Sequence, residues 1–99
     1  MKYFTKSITL DSTDDRPWYY RSKLYYDKDE YTIALNDINE AIKLNNKDAD
    51  YYISRALIYI YNESEYDDDL AEDDLYTALK MGSKEAQDLL DEFFSDEDN

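Results

Sequence analysis

Between residues 67 and 74 the chain reads DDDLAEDD, placing Asp67, Asp68, Asp69, Glu72, Asp73 and Asp74 within eight positions. Carboxylates so arranged suit three kinds of chemistry. They can act as a general acid–base pair where a cleft raises one pKa, ligate a hard cation such as Ca2+, or offer negative charge to a basic partner. Adjacent acids at a helix start are expected to be solvated and favoured by the helix dipole, which does not suit acid–base catalysis. The run also lacks the alternating ligands and central glycine of an EF-hand loop. Elsewhere the chain holds no His, no Cys and a single Gly. Nucleophile–base pairs, transition-metal clusters and phosphate-cradling loops therefore lack their usual parts. The expectation is a non-catalytic protein with no cofactor and no metal.

Charge presentation is the remaining use. The formal net charge is −14, and it is unevenly spread: residues 1–61 hold 10 acids and 9 bases, whereas residues 62–99 hold 15 acids and 2 bases. Phosphates would be repelled by the second part, so nucleic acid and anionic membrane are not expected as partners, while a basic protein is admitted. A face carrying the six acids above with Glu63, Glu65, Asp88, Asp91 and Glu92 would suit a decoy that mimics nucleic-acid charge and occupies a basic partner. The plainer reading outweighs it: charge runs are commonly solvated surface, and the end helices of stacked arrays need a polar outer face.

The elements that carry these groups follow from composition and pattern. At 99 residues, with 42% hydrophobic and 16% aromatic residues, the chain is predicted to fold as one domain over residues 1–94. The acidic segment 95–99, with nothing to bury, is expected to fray. One Gly and one Pro are too few for strands joined by tight turns, which favours helices. There is no apolar run of the kind a signal peptide or membrane span requires, and no disulfide framework, so a cytoplasmic protein is the expectation.

One phrase recurs. SITLDSTDD (7–15), AIKLNNKDA (41–49) and ALKMGSKEA (78–86) are variants of it, spaced by 34 and then 37 residues. Extending the first two copies sets Trp18 against Tyr52, Arg21 against Arg55 and Tyr25 against Tyr59. A period in this range marks a helical array. Within it, Tyr31, Ala34, Leu35, Ile38, Ala41 and Ile42 form one stripe at helical spacing. Asp14 or Asp15, Asp48 and Ser83 are expected to cap the helices that follow each phrase, and Gly82 to end one in the left-handed conformation. Six helices are predicted, at 2–10, 16–28, 31–44, 49–62, 69–81 and 84–94, stacked as antiparallel pairs.

Trp18, Tyr25, Ala34, Ile38 and Ala41, followed by Tyr52, Tyr59, Ala71, Leu75 and Ala78, resemble the signature of tetratricopeptide repeats, and the longer second unit looks like the related subclass of longer repeats. The resemblance covers nearly the whole chain, as about two and a half repeats. Ser22 stands where the family usually has glycine or alanine, and Asn46 where it usually has proline. The resemblance implies an all-α, short right-handed superhelix of about six helices acting as a scaffold, with the first helix of each pair lining a concave groove for a peptide or partner helix. Carried over position by position, that groove is lined by Arg16, Tyr19, Lys23 and Tyr26 and by Asp50, Ile53, Leu57 and Ile60. The residue pattern agrees in part, because Ile53, Leu57 and Ile60 form an apolar stripe beside the packing stripe of Tyr52, Ala56 and Tyr59. The alternative is that neighbouring helices cover those three residues as core. The carboxylate clamp of the family's chaperone-tail binders is not carried over, since Ser54, Leu57 and Ile60 offer no matching groups. The first helix, with Phe4 and Ile8 on one face, lacks a pair partner, which suggests pairing between two copies.

Overall fold

The computed structural model describes residues 14–62 and 68–94, and among these the chain is all-α. Its helices are α1 (Asp15–Asp27), α2 (Tyr31–Leu44), α3 (Ala49–Tyr61), α4 (Asp68–Lys80) and α5 (Lys84–Phe94). They match the last five expected from sequence. The helix expected at 2–10, with Phe4 and Ile8, lies outside the described residues, as do Glu63, Glu65, Asp67 and the segment 95–99. Among the described residues no helix is long and apolar enough to cross a membrane.

Caps account for five of the helix ends. Asp14 caps α1, accepting from the Arg16 backbone N–H at 3.0 Å, and Pro17 sits in the first turn, where its missing N–H has no cost. Asp48 caps α3 through the Asp50 N–H at 3.0 Å, and Ser83 accepts from the Ala86 N–H at 3.2 Å. Gly82, at φ 100, ends α4 in a Schellman turn: its N–H donates to Leu79 O and the Ser83 N–H to Ala78 O. The same turn ends α1 without a glycine. Asp29 holds φ 63, its N–H donates to Tyr26 O and the Glu30 N–H to Tyr25 O. Aspartate tolerates the left-handed region better than most residues, and here its carboxylate also accepts from the Tyr31 hydroxyl at 3.0 Å.

Helices α1 and α2 run antiparallel, since Asn45 after the end of α2 donates to Asp15 at the start of α1, at 3.3 Å. Two hydrophobic clusters result. The first joins Ala34, Ile38 and Ala41 of α2 to Tyr51 and Ile58 of α3, with the α1 rings of Trp18, Tyr19, Tyr25 and Tyr26 against them. The second joins Ile53 and Ala56 of α3 to Ala71, Leu75 and Ala78 of α4 and to Ala86 and Leu90 of α5. Helix α3 serves both clusters, which explains why ADYYISRALIYIY is apolar on more than one side.

The internal repeat is visible in the packing. Ala34, Asp37, Ile38 and Ala41 of α2 are buried, and so are Ala71, Asp74, Leu75 and Ala78, each 37 residues later in α4. Ser22 and Ala56, 34 residues apart, are the buried small residues that face them. The Ser22 hydroxyl donates to Ala34 O at 2.8 Å, so a serine fits a seam where an alanine serves in the next pair. Trp18 and Tyr52 occupy matching sockets, each with the guanidinium of the arginine three residues on at 5.7 Å from its ring.

Those arginines make two equivalent bidentate ion pairs. Arg21 donates to Asp37 from Nε at 2.8 Å and Nη2 at 2.9 Å. Arg55 donates to Asp74 from Nε at 2.9 Å and Nη2 at 2.8 Å, and its Nη1 donates to Asn39 of α2 at 2.9 Å. The expectation of a solvated Asp74 on an acidic face is therefore corrected. The residue is only 4% exposed, because the register of α4 turns it toward α3, where Arg55 neutralises it. Burial pushes the Asp74 carboxyl up against the downward pull of the Arg55 guanidinium, while the Asp74 carboxylate pushes Arg55 up; a pair of this kind costs desolvation as well as gaining attraction. Asp74→Asn removes the charge that neutralises Arg55, leaving it the Asn39 acceptor and one amide oxygen, and is expected to lower stability by about 2 kcal/mol, somewhat less than loss of a fully buried pair because Arg55 is partly exposed. Replacing both partners together, Arg55→Met with Asp74→Leu, should cost less than the single change; urea unfolding of the two variants checks both statements.

Candidate functional site

Helices α1 and α3 touch only lightly, and aromatic rings span the gap between them. Tyr19 lies 4.7 Å from Tyr51, ring centre to ring centre, and Tyr26 lies 6.3 Å from Tyr61. Tyr61 in turn meets Phe93 of α5 edge-on at 6.0 Å. Rings of this size, set near both ends of the facing stripes, hold the two backbones apart and leave a groove of about 340 Å3. The α1 wall is Tyr19, Ser22, Lys23, Tyr26 and Asp27, the α3 wall is Asp50, Ile53, Ser54, Leu57 and Ile58, and Glu85 of α5 completes the lining. Each long wall follows the same three- and four-residue steps, one side of a helix.

Six of the eight residues nominated from sequence line this one groove: Tyr19, Lys23, Tyr26, Asp50, Ile53 and Leu57. Arg16 does not. Its side chain is 72% exposed and forks onto Asp14 outside the groove, with both contacts at 3.1 Å. Ile60 is turned into the second hydrophobic cluster. Ile53, at 4% exposure, belongs to that cluster as well, and Leu57 packs against it. The stripe Ile53, Leu57 and Ile60 is thus largely core covered by α4 and α5, and only part of it faces the groove. Sequence reading missed Ser22, Asp27, Ser54, Ile58 and Glu85 as groove residues. Asp27 had a signal, since it continues the α1 stripe one step past Lys23, whereas Glu85 had none, because only the packing of α5 brings it there.

The electrostatics of the groove are lopsided. Asp27, Asp50 and Glu85 are exposed, and none lies within ion-pair distance of a basic group among the described residues. Lys23, also exposed, rests its ammonium 5.2 Å from the centre of the Tyr19 ring. At the N-terminal end of α1 the Tyr51 hydroxyl donates to Asp15. That bond holds the Asp15 carboxyl below its usual range, while burial and the same carboxylate push the Tyr51 hydroxyl up. Of the acidic face proposed from sequence, Asp68, Asp69 and Asp73 are exposed and Glu72 is half-buried on α4, apart from the groove lining. Comparison with models of known protein families and with curated protein sequences finds no match to this chain.

Burial, reinforced by Tyr61, Tyr31, Asp27 and Asp29, pushes the Tyr26 hydroxyl up to about 12. Below about pH 10, the ordinary tyrosine value, the group is protonated whether the chain is folded or not. Between there and its folded value the unfolded chain releases the proton first, so this contribution to stability is lost as pH rises through the window. Tyr26→Phe is expected to flatten the fall in unfolding midpoint across that window and to remove one late-titrating hydroxyl; chemical denaturation at stepped alkaline pH, with NMR of the tyrosine rings, checks it.

Proposed function

We propose that the chain is a non-catalytic binding module built of tetratricopeptide-like repeats, whose helix pairs stack with a right-handed superhelical sense and receive side chains of a peptide between α1 and α3. The observation that carries this reading is the convergence of Tyr19, Lys23, Tyr26, Asp50, Ile53 and Leu57 on one groove. The repeated seam of Ala34, Ile38 and Ala41 and of Ala71, Leu75 and Ala78 supports the family resemblance. Aliphatic and aromatic side chains mixed with charged and hydroxyl groups in one concave lining can both hold a ligand and fix its orientation. The reading by charge mimicry draws on Asp68, Asp69 and Asp73, exposed on α4, and places the contact elsewhere on the molecule.

Selection of a displayed library of random peptides against the full chain separates the two readings. Peptides of about micromolar affinity are expected, weakened at least about tenfold by Tyr19→Glu or Leu57→Glu and indifferent to Asp68→Asn with Asp69→Asn and Asp73→Asn. The opposite pattern would move the function to the acidic face of α4. Circular dichroism of each variant confirms that the helices persist.

A further inference from the structure

We infer that the guest of this groove is a basic peptide segment that seats one or two aliphatic side chains between α1 and α3 and sets flanking Lys or Arg side chains on the acidic margin. The inference rests on the groove reading above and adds the chemistry of the partner.

Shape limits what enters. The groove of about 340 Å3 is open along one side, so a guest backbone crosses its mouth and sends side chains inward. Ile53 and Ile58 are almost wholly covered, so Leu57 and the rings of Tyr19 and Tyr26 are what the lining offers to apolar groups, enough for one or two aliphatic side chains.

Charge decides what flanks them. Asp27, Asp50 and Glu85 come from three different helices to the lining of the same groove, against the single ammonium of Lys23. Lys23 is itself drawn toward the Tyr19 ring, and the three carboxylates make no ion pair with one another's neighbours among the described residues. Asp50 and Glu85 sit in the first turns of α3 and α5, where they favour their own helices, but Asp27 is the last residue of α1. A carboxylate at that end works against the helix dipole, so helix stability does not account for it. An acidic guest would meet this margin and the chain's net charge of −14; a basic one is attracted by both.

The test is the same displayed library, read by sequence and followed by titration of synthetic peptides against three full-length proteins: the natural chain, a variant with Asp27→Asn, Asp50→Asn and Glu85→Gln, and Lys23→Gln. Recovered peptides are expected to carry Lys or Arg beside an aliphatic residue. Their affinity should fall about tenfold in the neutralised variant, fall with added salt, and rise a few-fold in Lys23→Gln. A rise in Lys23→Gln is not expected of a residue with a purely structural role, and it keeps the test decisive if the triple change perturbs folding. Peptides sensitive to Leu57→Glu but neutral or acidic in composition, or unmoved by the triple change, would overturn the basic-guest inference and leave the groove reading standing. Recovery of no peptide sensitive to Leu57→Glu would overturn both.

Discussion

The close approach of paired helices, set by alanine, is the constraint on which the rest of the structure depends. Ala34, Ala41, Ala56, Ala71, Ala78 and Ala86 are all fully buried. A side chain of one methyl lets two backbones come near, and dispersion across such a seam rises steeply as the gap closes. Larger residues at these places would push the pairs apart and open voids around Ile38 and Leu75, the bulky residues that fill the seam between the alanines. Small residues do not by themselves choose a register, because one alanine slides past another at little cost. The paired arginines and aspartates supply what the alanines lack: a bidentate geometry met at a single setting of one helix against the next.

That division between an apolar seam and a polar latch frees the aromatic residues for another task. The rings of Trp18, Tyr52 and Tyr25 lie beside the arginine latches, while Tyr19, Tyr26, Tyr51 and Tyr61 stand between helices of successive pairs. A tyrosine can bury its ring and keep its hydroxyl wet or hydrogen-bonded, which makes it a spacer as well as a packing residue. The groove is the space such spacers leave. Its walls are continuous with the core, since Ile53 and Ile58 belong to the two hydrophobic clusters and Tyr19, Tyr26 and Leu57 pack against them.

Much of this was legible in the chain. The five described helices, their caps at Asp48 and Ser83 and the left-handed Gly82 follow from local preferences that act within one turn of the backbone. Six groove residues came from the resemblance to tetratricopeptide repeats, and helical spacing agrees with them, since Tyr19, Lys23 and Tyr26 share a side of one helix and Asp50, Ile53 and Leu57 a side of another. The errors have a common cause. Asp74 was grouped with Asp73 and Glu72 because the three are adjacent, yet neighbours in a helix point about 100° apart, and only the facing Arg55 distinguishes the buried carboxylate from the wet ones. Ile60 was assigned to the groove by position-by-position analogy with tetratricopeptide repeats, but the packing of α4 and α5 turns that edge of α3 inward.

The sequence by itself determined that the described residues are helical, where their five helices begin and end to within one residue, and which positions repeat, since periodicity and capping are properties of contiguous residues. The tertiary structure alone decided which side of α3 is core and which is groove wall, that Asp37 and Asp74 are latched to Arg21 and Arg55, and that Glu85 joins Asp27 and Asp50 around one opening. Those outcomes depend on residues tens of positions apart meeting at a fixed rotation, and no local preference encodes the rotation of one helix against another.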